Sequence, residues 1–93
     1  MKDCSELNKL RIEIDKADEV IVKAFAERML LCDEIARVKQ QNKIGVLYNN
    51  REAEVLEKCR SLVSEDLRED VTQLMQTIMS ISKKRQKRII VGE

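Results

Sequence analysis

The sequence predicts an all-α fold of three helices with a long first helix, because three features coincide. The 93 residues include no proline and only two glycines, so little interrupts a helix. Charged residues make up 38% of the chain and aromatic residues only 2%, a composition typical of helical bundles. Apolar residues in the first segment recur at three- and four-residue steps, the period of one helix face. We therefore expect one helical domain over residues 1–93.

The first helix is predicted over about residues 5–40. Its seam alternates three- and four-residue steps over more than four heptads: Leu7, Leu10, Ile14, Ala17, Ile21, Ala24, Arg28, Leu31, Ile35 and Val38. Some 35 residues of helix span roughly 50 Å, whereas a compact chain of this length is only about 30 Å across. The rest of the chain cannot cover this seam, so we expect a homodimer formed through the long helices.

Two shorter helices are predicted at about residues 50–63 and 65–88, joined as a hairpin by a very short turn that includes Ser64, a candidate cap. The third helix carries an apolar seam made of Leu67, Val71, Leu74, Ile78 and Ile81. A flanking row consists of Met75, Met79, Ser82 and Gln86. This change from thioethers to a hydroxyl and an amide suits either a cavity wall or a fraying helix end.

Composition argues against several classes of function. The formal charge of +1 gives no overall field for nucleic acid or membrane, and two aromatic residues offer little for base stacking. No stretch approaches a membrane span, and the N-terminus lacks the apolar run of a signal peptide. Three cysteines at unpaired spacings, with no histidine, argue against a zinc site and favour a cytoplasmic location. We expect no metal and no cofactor.

The lack of histidine also limits the chemistry of an active site. The commonest general base, which is also the usual partner of a serine or cysteine nucleophile, is missing. An enzyme of this composition would therefore act by positioning its substrate and by electrostatics.

Two cations share one side of the predicted first helix. Arg28 occupies a seam position between Ile21 and Ile35, where it could meet an anion, set the register or snorkel at a wet interface. Lys39 follows eleven residues later, about three turns, so both side chains could hold one small molecule. Arg11 points about 100° away from Arg28 and could reach the pocket of a partner chain.

Further polar residues fall on inward faces of the shorter helices. Glu52 shares a face with apolar residues of the second helix and Arg51 lies at its edge, although a first-turn glutamate also suits the helix dipole. Five C-terminal cations are predicted to form a solvated face: Lys83, Lys84, Arg85, Lys87 and Arg88. With Ser82 and Gln86, the inward groups describe a cavity suited to a small dianion that bears a hydroxyl group.

Five sequence elements, taken in order, carry a family resemblance. They are Leu10-Arg11-Ile12-Glu13-Ile14-Asp15, Ala26-Glu27-Arg28-Met29, Ile35-Ala36-Arg37-Val38-Lys39, Arg51-Glu52-Ala53-Glu54-Val55-Leu56, and the pair Ser82 and Gln86. In this order and spacing they resemble the all-helical (type II) chorismate mutase family over nearly the whole chain. The resemblance implies an intertwined homodimer that converts chorismate to prephenate by an intramolecular Claisen rearrangement, in phenylalanine and tyrosine biosynthesis.

The resemblance also implies roles for individual residues. Arg28 and the partner's Arg11 would bind the two substrate carboxylates, with Ser82 assisting. Lys39 and Gln86 would donate to the ether oxygen, where negative charge grows as the carbon–oxygen bond breaks.

The ring hydroxyl of the substrate would bind Glu52, with Arg51 nearby. Tyr48 departs from the family pattern, because an aspartate often stands three residues before the Arg-Glu pair. The phenol of Tyr48 or a backbone group could replace that acceptor, so substrate affinity or choice could differ from the family's.

Two other functions fit the same features. An isochorismate pyruvate lyase uses this scaffold on a nearly identical dianion, although Gln86 and the loop at residues 40–48 favour the mutase. A non-enzymatic helical dimerisation or regulatory module would explain the heptads, but it leaves Arg28, Lys39, Glu52 and Gln86 as coincidences.

Overall fold

The computed structural model describes residues 4–45 and 49–92 of the chain. It contains three α-helices: α1 (Ser5–Gln41), α2 (Asn49–Ser61) and α3 (Arg68–Val91), with a 3-10 turn (Glu65–Leu67) before α3. The described residues form no strand, and the predicted all-α class with a long first helix is confirmed. Within these ranges, no helix has both the length and the apolar character that crossing a bilayer requires.

α1 ends where polar groups take up its last carbonyls. The side-chain amide of Asn42 donates to the carbonyl of Val38 at 2.8 Å, and the Ile44 N–H donates to the carbonyl of Lys39 at 2.7 Å. Lys43 then adopts a left-handed conformation, with φ 57°, which turns the chain away from the helix axis. These bonds fix the end of α1 close to Lys39, one of the predicted site residues.

The junction between α2 and α3 is longer than predicted. α2 ends at Ser61 instead of about residue 63, because the N–H groups of Leu62 and Val63 donate to carbonyls three residues back, those of Cys59 and Arg60, at 3.1 and 3.5 Å. Ser64 does not cap the backbone of the following turn; its hydroxyl donates to the carboxylate of Asp66 at 2.5 Å. The chain passes through the 3-10 turn before α3 begins at Arg68.

α3 continues to Val91, beyond the predicted end at about residue 88. The reason is Gly92, which adopts a left-handed φ of 79° and donates its N–H to the carbonyl of Arg88 at 2.9 Å. The extra turn lets the carbonyl of Ile89 accept a hydrogen bond from the Gln40 side chain at 3.0 Å. The ends of α1 and α3 are therefore tied together.

The core that one chain builds for itself is small. Its buried apolar side chains, among the described residues, are Met29, Cys32 and Ala36 of α1 and Met79 of α3. The residue pairs that join α1 to α3 advance together along both helices, so these two helices run in the same direction. α2 lies antiparallel to α3, and Arg60 of α2 donates to the Thr72 hydroxyl of α3 at 2.7 Å.

The first half of α1 extends past the other helices as an uncovered arm, here called the α1 arm (residues 5–24). Every residue of the arm is exposed, including seam residues Leu10 (57%) and Ile21 (58%). The radius of gyration is 17.7 Å, against about 12 Å for a compact chain of this length. The accessible surface is 7751 Å², against about 5500 Å² for a compact chain. The excess, roughly 2200 Å², is on the scale of a large permanent interface.

Candidate active site

A cavity of about 440 Å³ lies between the C-terminal half of α1, the start of α2 and the end of α3. Predicted site residues line it: Arg28, Lys39, Arg51, Glu52, Ser82 and Gln86. Its apolar wall consists of Leu31, Cys32, Ile35, Val55 and Met79. An apolar cavity of this size with a few convergent polar groups is typical of small-molecule sites.

Arg28 is held against α3 by a buried hydroxyl. Its Nη1 donates to Oγ of Ser82 at 2.7 Å and also contacts Sγ of Cys32 at 3.7 Å. Ser82 is only 4% exposed and donates its own proton to the carbonyl of Ile78 at 3.0 Å. The hydroxyl therefore acts as an acceptor for Arg28, and it fixes one arm of the guanidinium fork at the cavity wall.

Lys39 and Gln86 form a second polar contact across the cavity. Nζ of Lys39 donates to Oε1 of Gln86 at 2.9 Å, and Gln86 is buried. Because the amide oxygen accepts from the lysine, the amide nitrogen is the group that can donate to a ligand. The backbones of Arg28 and Lys39 are about 16 Å apart by helical rise, so a bound molecule would lie between their side chains.

Glu52 is joined to α3 by an ion pair with Lys83. Oε1 of Glu52 lies 2.8 Å from Nζ of Lys83, and both side chains line the cavity. The prediction of a solvated face is therefore wrong for Lys83. The signal was available in the sequence, because Lys83 follows Met79 by four residues and so lies beside the buried row of α3.

Arg85 is a second exception to the solvated face, since it clamps α3 onto α1. Its Nε and Nη2 donate to the two carboxylate oxygens of Asp33 at 3.0 and 2.6 Å. The hydrogen bonds from Arg85 hold the pKa of Asp33 below its ordinary value, against the opposing effect of burial, while Arg37 adds a smaller attraction. This bidentate ion pair fixes the register of α3 along α1. It therefore determines which residues of α3 face Arg28 and Lys39.

We expect Asp33→Asn to lower the melting temperature at neutral pH. The folded-state pKa of Asp33 lies below its ordinary 3.8, so the pair stabilises the fold above that value and loses its effect as the pH falls through the lowered pKa. The difference in melting temperature between the variant and the unmodified chain should therefore shrink in acid. Thermal unfolding followed by circular dichroism at neutral pH and at about pH 2 to 4 measures this.

The matched control for that experiment is Glu34→Gln, which makes the same chemical change at the exposed neighbouring residue. It should leave the acid profile close to that of the unmodified chain. A difference between Asp33→Asn and the unmodified chain that stays constant down to the lowest pH would contradict the role of the ionised pair.

Arg11 and Tyr48 are the predicted site residues that are not seen at this cavity. Arg11 lies in the α1 arm, seventeen residues before Arg28, and is exposed. That separation is roughly 25 Å along the helix, too far for its side chain to reach the cavity of its own chain. Tyr48 lies outside the described residues.

Comparison with known protein families identifies a similarity over most of the chain. A family model described as chorismate mutase type II matches residues 10–87, a range that contains Arg11 and all the residues that line the cavity. Searches of curated proteins and of solved structures found no significant match.

Proposed function

The chain belongs to the chorismate mutase type II family, and from this premise we propose that it is a cytoplasmic enzyme that rearranges chorismate to prephenate, on the route to phenylalanine and tyrosine. The observation that carries the proposal is the charge of the cavity. Among the described residues that line it, four cations, Arg28, Lys39, Arg51 and Lys83, surround a single carboxylate, Glu52, on largely apolar walls. Such a cavity favours a small dicarboxylate, because low-dielectric walls strengthen the attraction of the cations.

The binding step uses the ends of the cavity. Arg28, held in place by Ser82, would bind one substrate carboxylate through the free arm of its guanidinium fork. The second carboxylate would bind Arg11 of the partner subunit. Glu52 would accept a hydrogen bond from the ring hydroxyl, with Arg51 beside it. Tyr48, just before α2 in the chain, is proposed to complete this part of the site.

The reacting atoms would lie beside Lys39 and Gln86. The rearrangement breaks the ether carbon–oxygen bond while a carbon–carbon bond forms in the same molecule, and no proton is transferred. Holding the flexible substrate in its compact conformer removes the positional part of the barrier. Negative charge that grows on the ether oxygen would be met by the Lys39 ammonium and the Gln86 amide nitrogen, which favours the transition state over the ground state.

We also propose that the working molecule is a homodimer. The α1 arm exposes an apolar seam, and the chain carries roughly 2200 Å² more surface than a compact one. A second copy that packs its own arm against this seam would cover the surface symmetrically. The same arrangement would bring Arg11 from one chain to the cavity of the other, which its own chain's geometry does not allow.

The direct test is to supply the purified protein with chorismate. We expect the absorbance of chorismate to fall and prephenate to appear as the product, at a rate well above that without protein. A chromatographic assay identifies the product and so separates this reaction from any other loss of chorismate.

The same assay with isochorismate as the substrate tests for isochorismate pyruvate lyase activity. Salicylate and pyruvate from isochorismate, without prephenate from chorismate, would overturn the proposed function in favour of the lyase. Absence of turnover with both substrates would favour a non-enzymatic helical module.

A further inference from the structure

The ion pair of Glu52 and Lys83 lies in the cavity wall, and the function proposed above gives Lys83 no individual role. It joins α2 to α3 at 2.8 Å, and its side chains are 33% and 42% exposed, respectively. A single ion pair with this exposure contributes little to the stability of a fold. Its location in the cavity therefore points to an effect on the bound molecule.

Glu52 presents an electrostatic difficulty for a cavity that takes a dianion. Its carboxylate would repel the two substrate carboxylates that Arg28 and its fellow cations attract. The ammonium group of Lys83 contacts the Glu52 carboxylate directly and so neutralises its charge. A carboxylate has two oxygens, so Oε1 can accept from Lys83 while Oε2 accepts a hydrogen bond from the substrate.

We propose that Lys83 is a positioning residue for Glu52, which neutralises and orients that carboxylate so that a hydroxyl-bearing dianion can bind. This inference rests on the proposed function. Lys83 acts through Glu52 and not through Lys39 or Gln86, so its effect falls on substrate binding more than on the chemical step. The substrate class that results is narrow: two carboxylates together with a hydroxyl near Glu52.

The test is the steady-state kinetics of Lys83→Met with chorismate. Methionine keeps much of the side-chain volume but leaves Glu52 without its counter-ion. We expect KM to rise on the order of fivefold, the upper end for one partly exposed ion pair, while kcat changes by less than about twofold. Lys83→Arg, which keeps the charge, should restore KM. Lys84→Met is the matched control, since Lys84 is exposed and does not line the cavity.

A double variant separates this role from a structural one. Adding Glu52→Gln to Lys83→Met removes the carboxylate that has lost its partner, so KM should fall below that of Lys83→Met alone. If Lys83 served only to hold α2 against α3, Lys83→Met would lower the melting temperature and the second substitution would not improve KM.

The outcomes are distinguishable. An unmodified chain that forms no prephenate removes the proposed function, and the inference with it. Normal turnover by the unmodified chain, combined with an unchanged KM in Lys83→Met, overturns the role of Lys83 alone. Lys83→Gln carries the same expectation as Lys83→Met, so a folding defect in the methionine variant, seen by circular dichroism, leaves a second variant that decides the matter.

Discussion

Replacing Lys39 with alanine is expected to lower kcat for chorismate at least about 100-fold while the helical content stays unchanged. The substitution removes the cation proposed to meet the developing charge on the ether oxygen. It also removes the donor that fixes Oε1 of Gln86 at 2.9 Å, so the amide nitrogen loses its orientation as well. Because this interaction strengthens in the transition state, kcat should fall more than KM rises.

Lys58→Ala is the control for that experiment, because Lys58 is an exposed lysine of α2 that does not line the cavity. It should keep the activity of the unmodified chain. Activity of Lys39→Ala within about tenfold of the unmodified chain would contradict the electrostatic mechanism. A loss of helical signal would instead show that Lys39 supports the fold.

Mixing two inactive variants should restore activity, if Arg11 of one chain completes the cavity of the other. In the proposed homodimer, Arg11→Ala and Lys39→Ala would each disable both sites. In a mixed dimer, one site carries both substitutions and the other carries neither. Random exchange of chains makes half of the dimers mixed, so about one quarter of the unmodified activity should return.

The readout is the rate after the two variants are unfolded together and refolded, compared with each variant treated alone. Two variants of the same cavity, Arg28→Ala and Lys39→Ala, form the control pair, because a mixed dimer of these retains no intact site. Equal failure of both mixtures to regain activity would show that Arg11 does not complete the cavity of the other chain, whereas an Arg11→Ala variant that keeps its activity would place Arg11 outside the site. Sedimentation that shows a stable monomer would contradict the dimer itself.

The long first helix could be predicted because heptad spacing is a local property of the sequence. The face of α3 that packs against α1 could not be predicted from local spacing. Its apolar seam leaves Leu74 and Ile81 exposed, while Met79, Ser82 and Gln86 are buried. Neighbouring faces of a helix offer similar periods, and packing between elements that are distant in the sequence decides which face is covered.

The same distinction, between features of a single helix and contacts between helices, applies to the polar groups of the cavity. The shared side of Arg28 and Lys39 follows from helix geometry, and so does the row that contains Ser82 and Gln86. The ion pairs of Lys83 and Arg85 were missed because cations near a helix C-terminus also suit the helix dipole. The helix dipole and an ion pair with another helix both predict a basic residue at these positions, so the sequence pattern does not distinguish between them.

The uncovered arm has a consequence for how such a protein behaves when it is scarce. If a second copy covers the arm, the assembled and separated chains are linked by mass action, and dilution shifts the balance toward chains whose cavity lacks Arg11 of a partner subunit. Specific activity would then decrease as the protein is diluted, even when every molecule is chemically intact. At low cellular concentrations of the protein, most chains would be separated, and each added chain would increase the rate of the reaction only slightly. The expression level of the gene would therefore act as a control on the reaction.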